Sequence, residues 1–280
     1  MKDMPEEKLQ QIARDVRLDV LDMTARMGGH PTSCFSAVEI LTVLYFGGVL
    51  QYRPDEPSWP ERDRFILSKG HAAPALYAVL ARAGYFPESD LQKFRCIDSP
   101  YQGHPKQNLA IGVEVTSGSL GQGLSFGLGT VLAGRLANRD YRVFVLMGDG
   151  ECDEGQVWEA AMASAHYRAD RLIGVIDYNK YQQTGPIERE MGLEPFAEKW
   201  RAFGWHVEEA NGHDIAALRR ALGSARAGSD SSSRRPQLVI AHTKKGKGVS
   251  FMEKDYTFHA RSPSGLQLAQ AREEILNANR

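Results

Sequence analysis

RVFVLMGDGECDEGQVWEAAMASAHYRADRLIGVIDYN, Arg142 to Asn179, is the stretch on which the fold of this chain turns. It opens with a continuous apolar strand, Arg142 to Met147, cut off by Gly148-Asp149-Gly150. A helix is predicted from about Glu154 to Tyr167, then a second apolar strand from Leu172 to Ile176. Strand, helix of moderate length and strand make a βαβ unit, and unbroken apolar strands fit a sheet covered on both faces. The pattern repeats downstream as helix Phe196–Phe203, strand Trp205–Glu208, helix Ile215–Ala227 and strand Gln237–Ala241. Asp214 is placed to cap the third of these helices. The fold class is therefore α/β, a doubly wound, mostly parallel sheet flanked by helices.

Upstream, Leu9, Ile12, Val16, Val20 and Met23 recur at three and four within a charged N-terminal segment, which predicts an amphipathic helix. A Gly/His/Pro/Ser loop from Gly28 to Ser36 should follow, then an apolar helix through Ile40, Leu41, Leu44 and Tyr45. Arg64 to Leu67 reads as a short strand before an Ala-rich helix. Gly118 to Ala137 is helical in pattern although Gly121, Gly123, Gly127 and Gly129 each cost it up to ~1 kcal/mol. Such glycines suggest close packing against another element, in this chain or in a second one. Gly228 to Pro236 has the composition of a mobile surface loop. A helical tail, about 265–278, closes the chain, and residues 1–280 are expected to form one domain.

At 280 residues, 42% hydrophobic and 25% charged, the composition excludes a disordered or fibrous chain. A net charge of -1 leaves no basic field for nucleic acid or anionic lipid. Cys34, Cys96 and Cys152 are too few and too scattered for a disulfide framework or a zinc site. No run approaches the ~20 apolar residues of a membrane span, so the protein is expected in the cytoplasm.

In an open α/β sheet, ligands bind beyond the carboxyl ends of the strands. Two consecutive strands here end in Asp149 and in Asp177-Tyr178-Asn179, and a parallel unit brings those ends to one side. A carboxylate and an amide carbonyl would converge there as hard oxygen donors, suited to Mg²⁺ that shares its shell with phosphate and water. Gly150 would let a phosphate approach closely.

Gly148-Asp149-Gly150 followed by Asn179 resembles the thiamine diphosphate motif. The surrounding text is similar to the N-terminal part of the transketolase family. The matching segments are Gly29–Ser33, Leu67–His71, Gly103–Pro105, Thr116–Gly123, Gly148–Glu159, Lys245–Gly248 and His259, in family order over nearly the whole chain. The resemblance implies thiamine diphosphate and a divalent metal, Mg²⁺ or else Ca²⁺ or Mn²⁺, held by Asp149, Asn179 and the Tyr181 carbonyl. It assigns Gly150, Gly118, Ser119 and Leu120 to the cofactor, and it places Ser33, His71 and Lys245 near it. His30, His104 and His259 match histidines that move protons on the sugar, work that suits imidazoles near neutral pH. Glu154 and Glu159, grouped with the cofactor-site residues, match glutamates at the subunit interface that help couple paired active sites. Without the resemblance they would be ordinary charges at a helix start. His166, His206, His213 and His242 lie outside the motifs and are read as structural.

The family's enzymes continue into pyrimidine-binding and C-terminal domains, absent from these 280 residues. The resemblance therefore implies a split transketolase. This chain would act with a C-terminal partner subunit, in an α2β2 heterotetramer, on small sugars. It would move a two-carbon ketol unit from a ketose, expected to be a phosphate, to an aldose. Three alternatives stay open: a relative of deoxyxylulose-phosphate synthase, one chain of a 2-oxo-acid dehydrogenase-like enzyme, and a non-catalytic cofactor-binding pseudoenzyme.

Overall fold

The computed structural model describes residues 4–228, 234–253 and 255–278. The N-terminal amphipathic pattern becomes α1 (Glu6–Met27), acidic in its first turn and with Arg26 in its last, as the helix dipole favours. Within the expected Gly28–Ser36 loop lies a short helix instead, α2 (Pro31–Phe35). Pro31 at its start presets φ and forfeits no intrahelical bond. The next elements are α3 (Val38–Phe46), buried throughout, β1 (Arg64–Leu67) and α4 (Ala73–Ala83).

The helix expected from Gly118 begins only at Gly123, as α5 (Gly123–Leu136). Gly118 and Gly121 have φ of 149° and 85°, outside helical space, so the helix cannot start before Gln122. Close packing inside this chain explains Gly127, where a Cβ would stand 2.6 Å from Val145 and 2.9 Å from Leu172. Gly129 faces open space.

The βαβ series then runs β2 (Val143–Gly148), α6 (Gly155–His166), β3 (Leu172–Tyr178), α7 (Ile187–Glu190) and α8 (Phe196–Ala202). It continues through β4 (His206–Asn211), α9 (Ile215–Ala227) and β5 (Gln237–His242), and α10 (Leu266–Asn277) returns to pack on α1. Asp214 caps α9 as expected, accepting from the Ala217 amide at 2.8 Å. Most of the segment read as a mobile loop, 229–233, lies outside the described residues.

Among the described residues the strands form one sheet in the order β1-β2-β3-β5-β4, every ladder parallel. Alternate residues serve opposite faces. Phe144 and Leu146 enter the layer of α1, α3, α4 and α9, whereas Val143, Val145 and Met147 enter that of α5, α6 and α8. Each such buried side chain contributes about 1.5–3 kcal/mol of transfer free energy. Because β5 pairs with β3 while β4 takes the edge, the carboxyl ends of β1, β2, β3 and β5 stand side by side. No helix among the described residues is long and apolar enough to cross a membrane.

Candidate functional site

A cavity of about 330 Å³ opens at those four carboxyl ends. Its frame is a buried ion pair. Lys69, just past β1, pairs with Asp177 near the end of β3, their side chains 1% and 0% exposed. Lys69 Nζ also donates to the Ser33 carbonyl at 3.1 Å, and the Ser36 hydroxyl donates to Asp177 at 2.6 Å, joined by the Thr243 hydroxyl. Burial pushes the Asp177 carboxyl up, but Lys69 and the hydroxyls outweigh it and hold it below the usual carboxylate range.

Asp149 is in a different position. It is 1% exposed, and its two oxygens accept from the Gly150 amide at 2.9 Å and the Lys180 amide at 2.5 Å. Burial first, and then Asp177, raise its carboxyl to about 7. A buried carboxylate held by two amides alone is short of positive charge. Asn179 follows β3, its Nδ2 leaning 3.4 Å from Asp177 while its Oδ1 accepts from the Tyr181 amide at 3.1 Å. Lys180 between them takes φ 65°, the tight turn that lets Asn179 and Tyr181 share the cavity wall.

Among the described residues, no group of three or more His, Cys, Asp or Glu could hold a metal by itself. The donors expected from the sequence, the Asp149 carboxylate, the Asn179 amide oxygen and the Tyr181 carbonyl, belong to residues that line this cavity and are hard oxygens with a single charge. They fit a Mg²⁺, Ca²⁺ or Mn²⁺ ion that completes its shell from phosphate and water. Gly150 is part of the fit, since a Cβ there would lie 2.8 Å from Gln182 Cγ and narrow the approach.

Glu151, which lies inside a quoted motif but was assigned no role, fastens the 118–122 turn above the sheet. It is buried and accepts from the Ser68 hydroxyl, the Gly121 amide at 2.9 Å and the Gly148 amide at 3.1 Å. Ser68 in turn accepts from the Gly123 amide at 3.1 Å. Gly118 and Leu120 of this turn line the cavity. Ser119 does not: it is exposed and accepts from Gln122 at 3.1 Å.

Four histidines from separate segments complete the site. The His30 ring centre lies 5.5 Å from His71, 5.9 Å from His104 and 5.1 Å from His259, and His71 lies 5.5 Å from His259. Burial, then like charge from neighbours, lowers His30 to about 4 and His259 to about 3. His71 and His104 are lowered in the same way, so all four imidazoles are neutral at pH 7. Lys245, 1% exposed, stands behind the wall and not on it. Its Nζ donates to the Gln182 carbonyl at 2.9 Å and to His259 Nδ1 at 3.0 Å, which leaves the His259 proton on Nε2. Burial, followed by Lys69, lowers this amine to about 8.

Of the residues picked from sequence, Ser33, His30, His71, His104, Gly118, Leu120, Asp149, Gly150, Asn179, Tyr181 and His259 line the one cavity. Glu154 and Glu159 do not reach it; both are exposed on the α6 side. Lys69, Glu151, Gln182 and Gln183 line it without having been assigned a role. Lys69 and Glu151 sat inside quoted motifs, and only their burial distinguishes them. A larger cavity of about 570 Å³, lined by Tyr45, Tyr52, Arg53 and Trp59, gathers no comparable set of acids, bases and oxygen donors.

The family described as transketolase, thiamine diphosphate binding domain, matches residues 8–275. The chain is 40% identical over 252 residues to a 6-deoxy-6-sulfo-D-fructose transketolase subunit of Clostridium sp. (strain MSTE9), covering 90% of each chain. It is also 40% identical over 247 residues to one of the subunits of the apulose-4-phosphate transketolase of Phocaeicola vulgatus, covering 88% of this chain and 86% of that one. A solved transketolase from Campylobacter jejuni superposes with a TM-score of 0.88 at 29% identity, over 97% of this chain and 43% of that one. Of the curated relatives called transketolase or transketolase-like, from Bos taurus and Pongo abelii, the chain spans 40% of the length.

Proposed function

This chain belongs to the transketolase thiamine diphosphate-binding family, and we propose that it is the diphosphate-binding subunit of a two-chain transketolase. One observation carries the reading: a single cavity joins oxygen donors at the β2 and β3 ends to four neutral imidazoles. When bound, thiamine diphosphate supplies the electron sink for breaking and remaking the carbon–carbon bond beside a ketose carbonyl. Asp149, Asn179 and the Tyr181 carbonyl hold the divalent metal, and Gly118, Leu120 and Gly150 admit the diphosphate. Ser33 and His71 orient the cofactor from the wall and Lys245 from behind it, with Ser119 in the turn that meets the diphosphate. His30, His104 and His259 take and return protons on sugar hydroxyls. Neutral rings can accept a proton at once, and their closely spaced neighbours disfavour keeping it.

The activity also requires a partner chain with the pyrimidine-binding and C-terminal domains. Two relatives named as transketolase subunits match this chain over nearly their whole length, which supports such a division. We read the assembly as an α2β2 heterotetramer in the cytoplasm. Copies would meet near α5 and α6, where Phe126 and Gly129 share one helix face and Glu159 and Met162 another. Phe126 and Met162 are 48% and 52% exposed there. Glu154 and Glu159 would act at that contact. The substrate class is a ketose donor and an aldose acceptor. The two relatives' names point to different sugars and so do not choose one here.

Light scattering after size exclusion, followed by a coupled assay on each chain and on the mixture, tests this reading. Ketol transfer is expected only from the mixture, in particles holding two copies of each chain. Full activity from this chain alone would overturn it.

A further inference from the structure

Lys245 is aimed by a turn, Lys244 to Lys247, and that turn is held by residues that do not line the cofactor cavity. The Lys244 amide donates to His213 Nε2 at 2.8 Å, so the imidazole proton sits on Nδ1, 3.1 Å from Glu39 Oε2. Both Glu39 oxygens accept from Arg17 Nη2, at 2.5 and 2.6 Å. Arg17 Nε then donates to the Lys247 carbonyl at 3.1 Å. The path leaves the turn at the amide of its first residue and re-enters at the carbonyl of its last. Arg17 and Glu39 side chains are each 9% exposed. Burial would raise the Glu39 carboxyl, but Arg17 and His213 outweigh it and bring it to about 2, so it is a permanent anion at the centre of the ring.

The turn itself has little slack. Gly246 has φ 77°, donates to the Thr32 carbonyl at 3.1 Å, and would place a Cβ 2.3 Å from the Met252 carbonyl oxygen. At its far end, Lys245 Nζ meets the Gln182 carbonyl and His259. The Arg17–Glu39 pair would staple α1 to α3 without His213. Arg17 by itself would also tie that pair to the Lys247 end of the turn; what His213 adds is the second tie, at the Lys244 end next to Lys245.

We infer that His213, anchored by Glu39 and Arg17, is a positioning residue that sets where Lys245, and through it His259, stands in the site. Its geometry is independent of the enzyme reaction, while its consequence for catalysis rests on the function proposed above.

Pulse acetylation of the full chain, read by mass spectrometry, compares Lys245 with Lys69, two lysines each 1% exposed. In His213→Phe, Lys245 should label about tenfold faster, the scale of one lost buried hydrogen bond, with Lys69 unchanged. His213→Gln, which keeps a donor and an acceptor, should return to near the native rate. Glu39→Gln, which keeps the packing, should show a smaller rise. Unchanged Lys245 labelling in His213→Phe and Glu39→Gln, or Lys69 rising in step, would overturn the inference. In the assembled complex with thiamine diphosphate and Mg²⁺, His213→Phe should lower kcat/KM but cause no further loss in a Lys245→Ala background. Fully additive losses would also overturn it. A complex that transfers no ketol at all would count against the proposed function, while the labelling still decides the positioning role.

Discussion

The two walls of the cavity are built on opposite plans. On the wall formed by the strand ends, Lys69, Asp177, Glu151 and Asn179 are buried and bonded to protein on several sides. On the histidine wall, among the described residues, only His259 of the four bonds to another side chain. The first wall spends its polar groups on each other and becomes a rigid holder, with Asp149 left short of positive charge. The second leaves its imidazoles neutral and, apart from His259 Nδ1, uncommitted, as groups that must exchange protons have to be. Holding and proton exchange thus need different polar environments within the same few ångströms.

The largest test of the contrast is Asp149→Ala. Removing the one charged metal donor should abolish thiamine diphosphate binding in the presence of the partner chain, with circular dichroism unchanged. Native affinity by calorimetric titration would dissolve the distinction between the walls. Next, Lys69→Met strands the Asp177 charge in the interior and should cost about 3–5 kcal/mol of stability in urea unfolding. A loss below about 1 kcal/mol would mean that the ion pair is no frame for the site. The histidine wall should respond the other way. His259→Ala is expected to cut turnover by ~10²-fold or more while melting temperature and cofactor affinity barely move. A variant that melts early but turns over normally would make His259 part of the frame.

The smallest effect is one of pH. With its carboxyl raised to about 7, Asp149 keeps its proton below that pH, and an arriving metal must displace it. Metal-dependent cofactor affinity should therefore fall by up to about tenfold per pH unit below 7, with about one proton released per site. The depressed histidines act on stability, with a sign opposite to that of the raised Asp149 carboxyl. Their folded values lie below the ~6.5 of an unfolded imidazole, so the unfolded chain takes up protons first and stability falls as pH drops from 6.5 toward 4. Calorimetry in buffers of different ionisation enthalpy separates proton release from this loss. Affinity flat between pH 6 and 8 would argue that Asp149 is not a ligand.

Much of the holder was legible in the chain itself. Unbroken apolar runs of strand length, separated by helix-length segments, can be satisfied only by parallel strands covered on both faces. Asp149 and Asn179 directly follow the two strands these runs become, and the observed register, Gly148 opposite Asp177, brings them to one side. Less of the clamps was legible. Lys69 and Glu151 carry no periodic signal, and nothing nearby announces that each will be fully buried. The start of α5 differs from the sequence pattern because glycine permits both helix and left-handed turn. Here the turn prevails because Glu151 binds the Gly121 amide. His213 lies outside every motif, and its partners Glu39 and Lys244 are remote in sequence.

By itself, then, the sequence determined the alternation of strands and helices, the parallel sheet, the cap at Asp214 and the placing of Asp149 and Asn179 at consecutive strand ends. These depend on local periodicity and on backbone bonds made between neighbours in the chain. Tertiary structure alone decided that β5, not β4, lies beside β3, which brings Thr243 to Asp177 and Lys245 to His259. It also decided that four histidines from separate loops share one wall and that burial keeps them neutral. The reason is physical: desolvation and long-range pairing depend on which surfaces finally meet, and no stretch of sequence contains both partners.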